Sequence, residues 1–239
     1  MHRFFLPSSL FNSDEIILPP EVSHQVHRVL RLKTGDEIIL LDNDGYEYAA
    51  VLQTVGEACT AAIRSKNVSQ GEPHTKIRMI LALTQREKFE FILQKCTEVG
   101  VSEFLPVITS RTLIQKSGDT QDKYPRWQKI LREAAEQSRR GRIPALLPVT
   151  EFTQVIKQQD DSLKLLLWED ESKTGFRESL CGYKGNSLTL AIGPEGGFSS
   201  EEVDLASHNG FTPVTLGKRI LRMETAAILA AGLALYELG

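Results

Sequence analysis

Cysteine is scarce: the 239 residues contain three, Cys59, Cys96 and Cys181. An odd and widely spaced set offers neither a disulfide framework nor a Cys-x-x-Cys motif, and it suits a reducing cytoplasm. Long apolar runs are missing too. No stretch approaches the roughly 20 apolar residues that span a bilayer. The opening segment, Met1 to Pro7, is too short in apolar residues for a signal peptide, so a cytoplasmic protein with no membrane attachment is expected. Of five histidines, only His24 and His27 are close in sequence, and no cysteine stands near them. No metal site is expected. Gly-x-Ser-x-Gly, Gly-x-Gly-x-x-Gly and Gly-Lys-Ser/Thr are all absent, which weakens hydrolase-elbow, dinucleotide and P-loop readings. One-sided charge is lacking as well. The 28 basic and 31 acidic residues leave a net charge of −3, against a protein that coats nucleic acid indiscriminately.

What is present is unevenly distributed. Residues 1–150 carry 20 Lys and Arg against 18 Asp and Glu, whereas residues 151–239 carry 8 against 13. Segment 123–142 holds seven basic residues against Glu133 and Glu136. One basic face on a near-neutral chain fits a specific anionic partner, and it equally fits a solvated helix face.

Strand and helix patterns divide the chain. Residues 1–70 read as small and β-rich, with strands over Arg3–Leu6, Glu37–Leu41, Tyr46–Val55 and Cys59–Lys66, and one helix over Glu21–Leu32. Short strands at this spacing suggest a small barrel. The polar stretch Ser69–His74 breaks both periodicities and marks a boundary. Residues 75–239 then alternate strand and helix. Strands are expected at Ile77–Leu83, Phe104–Val107, Leu163–Trp168, Leu188–Ile192 and Pro213–Leu216. Helices are expected at Lys88–Val99, Pro125–Arg139, Glu151–Gln158, Ser200–Asn209 and Glu224–Leu238. Such alternation predicts an α/β domain with a mostly parallel sheet.

Two loops carry the chemistry. The turn Ile192–Phe198, reading Ile-Gly-Pro-Glu-Gly-Gly-Phe, follows an apolar strand and precedes a helix that Ser199 and Glu202 can cap. Glycines there let a backbone approach a ligand with free N–H groups, and open α/β sheets bind ligands beyond strand carboxyl ends. Leu216–Ala226 also joins a strand to a helix. Two such loops at consecutive strand ends make a pocket, with a branched side chain at Gly196 expected to obstruct it. A third feature is the helix around Arg126-Trp127, ending in Glu136-Gln137-Ser138-Arg139-Arg140. Its arginines suit phosphate.

These stretches carry a resemblance. His24–Arg31 with Gly35-Asp36, Gln94–Val101, Arg126-Trp127 with Glu133–Arg140, Ile192–Phe198 and Leu216–Ala226 together resemble the 16S ribosomal RNA uridine-N3 methyltransferase family, within the SPOUT class. The matching stretches are in order and span nearly the whole chain. Cys96 and Met223 depart from it, standing where alanine and threonine are common.

The resemblance implies a PUA-like β-barrel over residues 1–70 that helps hold RNA. It implies a trefoil-knotted α/β SPOUT methyltransferase domain over 75–239 that binds S-adenosylmethionine in its knot loops, and a homodimer acting on 16S rRNA, within the small ribosomal subunit. Cofactor contacts are then expected from Leu167, Gly193, Pro194, Gly196, Leu216, Gly217, Ile220, Leu221 and Ala226. Arg222 is expected to stabilise the uridine anion, and Glu195 to orient the site or accept a proton. RNA contacts are expected from Arg28, Arg31, Arg126, Arg132, Arg139 and Arg140. The competing reading is a non-catalytic RNA-binding assembly factor that keeps the fold. A nucleotide-dependent enzyme is disfavoured, because no phosphate lysine follows the glycine turn.

Overall fold

The computed structural model describes residues 1–112, 120, 122–158 and 160–238. The chain forms two units. One comprises Met1–Glu72 with Arg132–Ile143, the other Pro73–Leu131 with Pro144–Gly239. The break at Glu72–Pro73 lies inside the polar stretch Ser69–His74, whereas the return of Arg132–Ile143 to the first unit has no signal in the strand and helix pattern.

The first unit is built on strands β1 (His2–Phe5), β2 (Glu15–Ile17), β3 (Glu37–Leu41), β4 (Tyr46–Thr54) and β5 (Thr60–Val68), in the order β1-β3-β4-β5-β2. Only β1 and β3 run parallel. Side chains alternate between faces along a strand. Phe4, Ile38, Leu40, Tyr48, Ala50 and Leu52 therefore share one core, with Val22 and Val26 packed on it. Phe5 and Leu41 point to the other face, where Ala135 and Ile143 of the returning segment cover them. The Phe5 N–H donates to Glu136 Oε1 at 3.0 Å.

The helix expected over Glu21–Leu32 is shorter and changes pitch. Helix α1 (Pro20–His24) runs into a π-turn over Gln25–Val29, closed by the Leu30 N–H on the Gln25 carbonyl at 2.8 Å. The extra residue in that turn rotates Val29 outward, so it is exposed instead of joining Val22 and Val26. Arg31, at φ 55°, ends the element.

The second unit holds β6 (Lys76–Ala82), α2 (Arg86–Val99), β7 (Glu103–Ile108), α3 (Tyr124–Gln137, whose last turns belong to the first unit), β8 (Ala145–Leu146), β9 (Thr150–Glu151), α4 (Phe152–Val155), β10 (Leu163–Leu167), α5 (Phe176–Leu180), β11 (Ser187–Ile192), α6 (Ser200–His208), β12 (Thr212–Val214) and α7 (Met223–Leu238). Its sheet is parallel throughout, in the order β12-β10-β11-β6-β7-β8, with β9 pairing β7. Helices cover both faces of such a sheet, which is why β6, β7 and β11 read as near-continuous apolar runs. Helix α7 packs on α2 and α5, and its small residues Ala227, Ala230, Ala231 and Ala234 are all buried. Helix α4 is shorter than expected, and α5 falls where the pattern shows no helix. Strand β12 stops at Val214, which frees Leu216 for the loop beyond it. Among the described residues no helix is long and apolar enough to cross a membrane.

Candidate functional site

Strands β10, β11 and β12 are neighbours, with Leu167 beside both Ile192 and Val214. The segments leaving their carboxyl ends therefore gather in one place. The turn after β11 closes through the Gly197 N–H on the Pro194 carbonyl at 2.9 Å, and Gly197 has φ 67°. A Cβ at Gly197 would run into the Glu169 carboxylate, which reaches over from the end of β10. A Cβ at Gly193 would stand 3.1 Å from the Phe198 ring and 3.2 Å from the Gly197 backbone. The positive φ calls for glycine at Gly197, and at Gly193 a Cβ would push its neighbours back by a few tenths of an ångström. At Gly196 a Cβ would meet only Arg111 carbons, at 3.6 Å and beyond, so the fold itself leaves room there. Phe198 anchors the turn by stacking on Phe152, with ring centroids 4.7 Å apart.

Three side chains from neighbouring segments brace the turn. Thr84 Oγ1 donates to Glu195 Oε1, and Lys88 Nζ donates to the same oxygen at 2.9 Å. Arg111 Nη1 donates to the Gly196 carbonyl at 2.6 Å. The expected capping box of α6 is present. The Ser199 N–H donates to Glu202 Oε2 at 2.9 Å, and the Glu202 N–H donates to Ser199 Oγ at 3.2 Å. The other Glu202 oxygen accepts the Ser110 N–H at 2.7 Å, which ties the end of β7 to the same helix start. Thr84, Lys88, Arg111 and Glu169 are not among the expected site residues. Thr84, Arg111 and Glu169 lie two or three residues past the ends of β6, β7 and β10, and Lys88 sits on the first turn of α2. The strand-end rule, applied to every strand instead of only to glycine-rich exits, finds the first three.

Glu195 is held as a carboxylate. Partial burial on its own would raise its pKa, but the hydrogen bonds from Thr84 and Lys88 outweigh that and set it below the usual range. A group so engaged is expected to orient the turn rather than take a proton. Its depressed pKa makes its support of the fold complete above the ordinary carboxylate pKa and lost as pH falls through the depressed value. For the activity that the resemblance implies, Glu195→Gln should therefore weaken cofactor affinity while the pH profile of the methylation rate near neutrality keeps its shape. If a limb of that profile vanishes in the variant, Glu195 is the base.

The loop after β12 has its own lock. Thr215 Oγ1 bonds both the carbonyl (3.1 Å) and the N–H (3.2 Å) of Gly217, whose φ is 112°. Leu167, Leu216, Leu221 and Ala226 are half-buried, whereas the Ile220 side chain is 86% exposed, so within one chain only its backbone is available to the site. Backbone N–H groups of Gly196, Ile220 and Leu221 donate to no group among the described residues. Half-exposed aliphatic surface beside glycine backbone and free N–H groups fits an adenosyl ligand, which needs a flat apolar seat and donors for its polar edges. Among the described residues no group of three His, Cys, Asp or Glu could hold a metal ion. Arg222 is exposed, and its guanidinium has no partner among the described residues. Its carbonyl accepts the Ala226 N–H at 2.9 Å, which fixes the backbone at the start of α7.

The arginines expected on RNA separate into two kinds. Arg28, Arg31, Arg132 and Arg139 are exposed, and Arg31 and Arg139 sit at φ 55° and 62°. Arg126 is exposed but bound bidentately to Glu90, at 2.6 and 2.8 Å. Arg140 corrects the expectation. It is 2% exposed, and Nε and Nη2 donate to the two Glu72 oxygens at 3.2 and 2.9 Å. Glu72 also accepts the N–H groups of Gly141 and Arg142, at 3.0 and 3.1 Å. A guanidinium enclosed in this way holds the 139–142 turn in the first unit and does not reach phosphate.

Comparison with known proteins places these features in a family. The model described as an RNA methyltransferase domain matches residues 71–235, and an RNA methyltransferase PUA domain matches residues 27–59. A ribosomal RNA small subunit methyltransferase E from Synechocystis is 37% identical over 87% of this chain and 68% of its own length. Its Bacillus subtilis counterpart is 31% identical over 99% and 97%. The crystal structure of a Neisseria gonorrhoeae ribosomal RNA small subunit methyltransferase E, bound to S-adenosyl methionine, superposes with a TM-score of 0.89 at 30% identity, covering 98% of this chain and 96% of that one. The α/β domain is accordingly of the SPOUT class, preceded by a PUA-like domain.

Proposed function

The chain belongs to the ribosomal RNA small subunit methyltransferase E family, and on that premise we propose that it transfers a methyl group from S-adenosylmethionine to N3 of one uridine in 16S rRNA, in the cytoplasm. The observation that carries the reading is the pair of glycine-containing loops at the ends of β11 and β12, the two strands that flank β10, in a fold whose relative of known structure holds S-adenosyl methionine. The intact loops disfavour a non-catalytic assembly factor.

The cofactor supplies a methyl group made electrophilic by its sulfonium. The chain's own task is positioning and charge. The Gly193–Gly197 turn and the loop through Leu216, Gly217 and Leu221 hold the adenosyl portion, which converts an encounter of two molecules into an aligned in-line displacement. Uridine N3 must lose its proton before it attacks, and the charge then spreads over O2 and O4. Arg222, exposed and permanently charged, faces that charge. Arg28, Arg31, Arg132 and Arg139 contact phosphates.

The working unit is a homodimer. Leu229, Leu233 and Tyr236 fall at helical spacing on α7 and are exposed, as is Ile220 in the preceding loop. An apolar stripe of this kind on a helix is suited to a second copy of the chain.

The test uses 16S rRNA from cells that lack this protein. Incubation with the purified chain and S-adenosylmethionine should add a single methyl group, at N3 of one uridine, by mass mapping. The same preparation should sediment at twice 26.7 kDa. No methylation, or methylation at another atom, overturns the reading, and a monomer overturns the dimer. Replacing Arg132 and Arg139 with alanine should leave cofactor affinity unchanged and reduce the salt slope of RNA binding by about one for each phosphate that is no longer neutralised.

A further inference from the structure

Beyond the arginines, the first unit carries an aromatic and cationic surface at one end of its sheet. Tyr46 stands directly opposite Val68, and Tyr48 opposite Lys66, in the antiparallel β4–β5 pair. Alternation puts all four side chains on the same face. Tyr48 closes the core, packed at 4.2 Å against Phe11. Tyr46 and Val68 continue that face past the end of the core, and there they are 39% and 61% exposed. The Lys66 ammonium lies 4.0 Å from the Tyr46 ring centroid.

The platform is braced by hydrogen bonds at the start of β4. The buried Asp42 carboxylate accepts the N–H groups of Asp44 and Tyr46, at 2.8 and 3.1 Å, and the Tyr48 hydroxyl at 3.2 Å, so the start of β4 is fixed. Glu47 is paired with Arg3. On the adjoining residue, Gly45, a Cβ would lie 3.3 Å from the Arg142 guanidinium, which the Glu72-held turn brings here and which donates to the Asp44 carbonyl. Lys66 thus flanks an exposed ring and an exposed aliphatic side chain, and Arg142 is held at the turn that leads into Tyr46. An exposed ring backed by cations is suited to a nucleobase with an anionic backbone. A base inside a duplex has both faces covered, so only an unpaired nucleotide can stack here.

We propose that Tyr46, Val68, Lys66 and Arg142 form a subsite for one unpaired nucleotide of the RNA, the base stacked on Tyr46 and the phosphate on Lys66 and Arg142. The subsite rests on the reading of the chain as an RNA-modifying enzyme. It adds to that reading a preference for single-stranded RNA in the first unit, where the exposed arginines alone would take any phosphate backbone.

The test measures binding of the full chain to an unstructured uridine-rich RNA oligonucleotide as a function of salt. Tyr46→Ala should weaken binding on the order of ten-fold or more with an unchanged salt slope, because stacking releases no counterions. Lys66→Ala should weaken it and lower the slope by about one. Tyr46→Phe keeps the ring and should bind as the unaltered chain does, while thermal melting confirms that all three variants are folded. Three results overturn the subsite: a folded Tyr46→Ala that binds normally, a Tyr46→Phe as weak as Tyr46→Ala, or no oligonucleotide binding by the unaltered chain. If the unaltered chain fails to methylate 16S rRNA, the functional reading falls. If it methylates and Tyr46→Ala binds normally, the subsite alone falls.

Discussion

Replacing Arg222 with alanine or lysine is expected to lower the methylation rate on the order of 100-fold to 1000-fold with cofactor and RNA both saturating, far more than it lowers affinity for S-adenosylmethionine. The expectation follows from where the charge goes. Uridine is neutral until N3 loses its proton, so a cation near O2 or O4 gains most of its interaction in the transition state and little in the ground state. The proposed role of Arg222 rests on its surroundings. Its backbone is fixed by the hydrogen bond to Ala226, while its side chain has no carboxylate to neutralise it among the described residues. Arg126 shows the contrast, since Glu90 already takes both of its forked donors. Lysine fails as a substitute because a point charge cannot present two parallel donors to a planar base. Single-turnover rates isolate this step. A variant that reacts normally once saturated makes Arg222 a binding residue and moves charge stabilisation elsewhere, for instance to the N–H groups of the Gly193–Gly197 turn.

Most of the second unit is legible in one dimension because its strands are buried on both faces. The runs at Ile77–Leu83 and Leu188–Ile192 have no alternative use for so many apolar residues, and β6 and β11 fall there within a residue or so. The Ser199 and Glu202 cap is equally local, since both partners lie within one helical turn. What one dimension hides is pairing between distant residues. Arg139 and Arg140 are neighbours with the same charge and read alike, yet one is exposed and the other is closed in by Glu72, far away in the chain. Glu195 reads as a free turn carboxylate until Thr84 and Lys88 are beside it. Val29 continues a helical apolar spacing that the π-turn then discards. The knot comes with the resemblance, not with the pattern. Apolar runs report which strands are buried and carry no record of which loop passes through which, and general rules of connection favour an unknotted, doubly wound sheet.

The glycine turn makes the last prediction, and it is graded. Gly197→Ala should reduce affinity for S-adenosylmethionine, and Gly197→Val should reduce it on the order of ten-fold to 100-fold, through backbone strain of roughly 1–3 kcal/mol. The cause is conformational. At φ 67° alanine is strained and a β-branched residue is an outlier, and in either variant the new Cβ must displace the Glu169 carboxylate. A strained turn relaxes by swinging residue 197 to negative φ, which breaks its hydrogen bond to the Pro194 carbonyl and turns the Gly196 carbonyl away from Arg111. Binding must then restore the strained form, so the cost appears in the dissociation constant measured by calorimetry. Gly196→Ala separates this from simple crowding. Its Cβ meets only Arg111 carbons at ordinary van der Waals distance, so the turn keeps its shape and any weakening reports direct contact with the ligand. Equal affinities for the unaltered chain and Gly197→Val would show that the backbone of this turn does not hold the cofactor, and would move the site toward the Leu216–Leu221 loop.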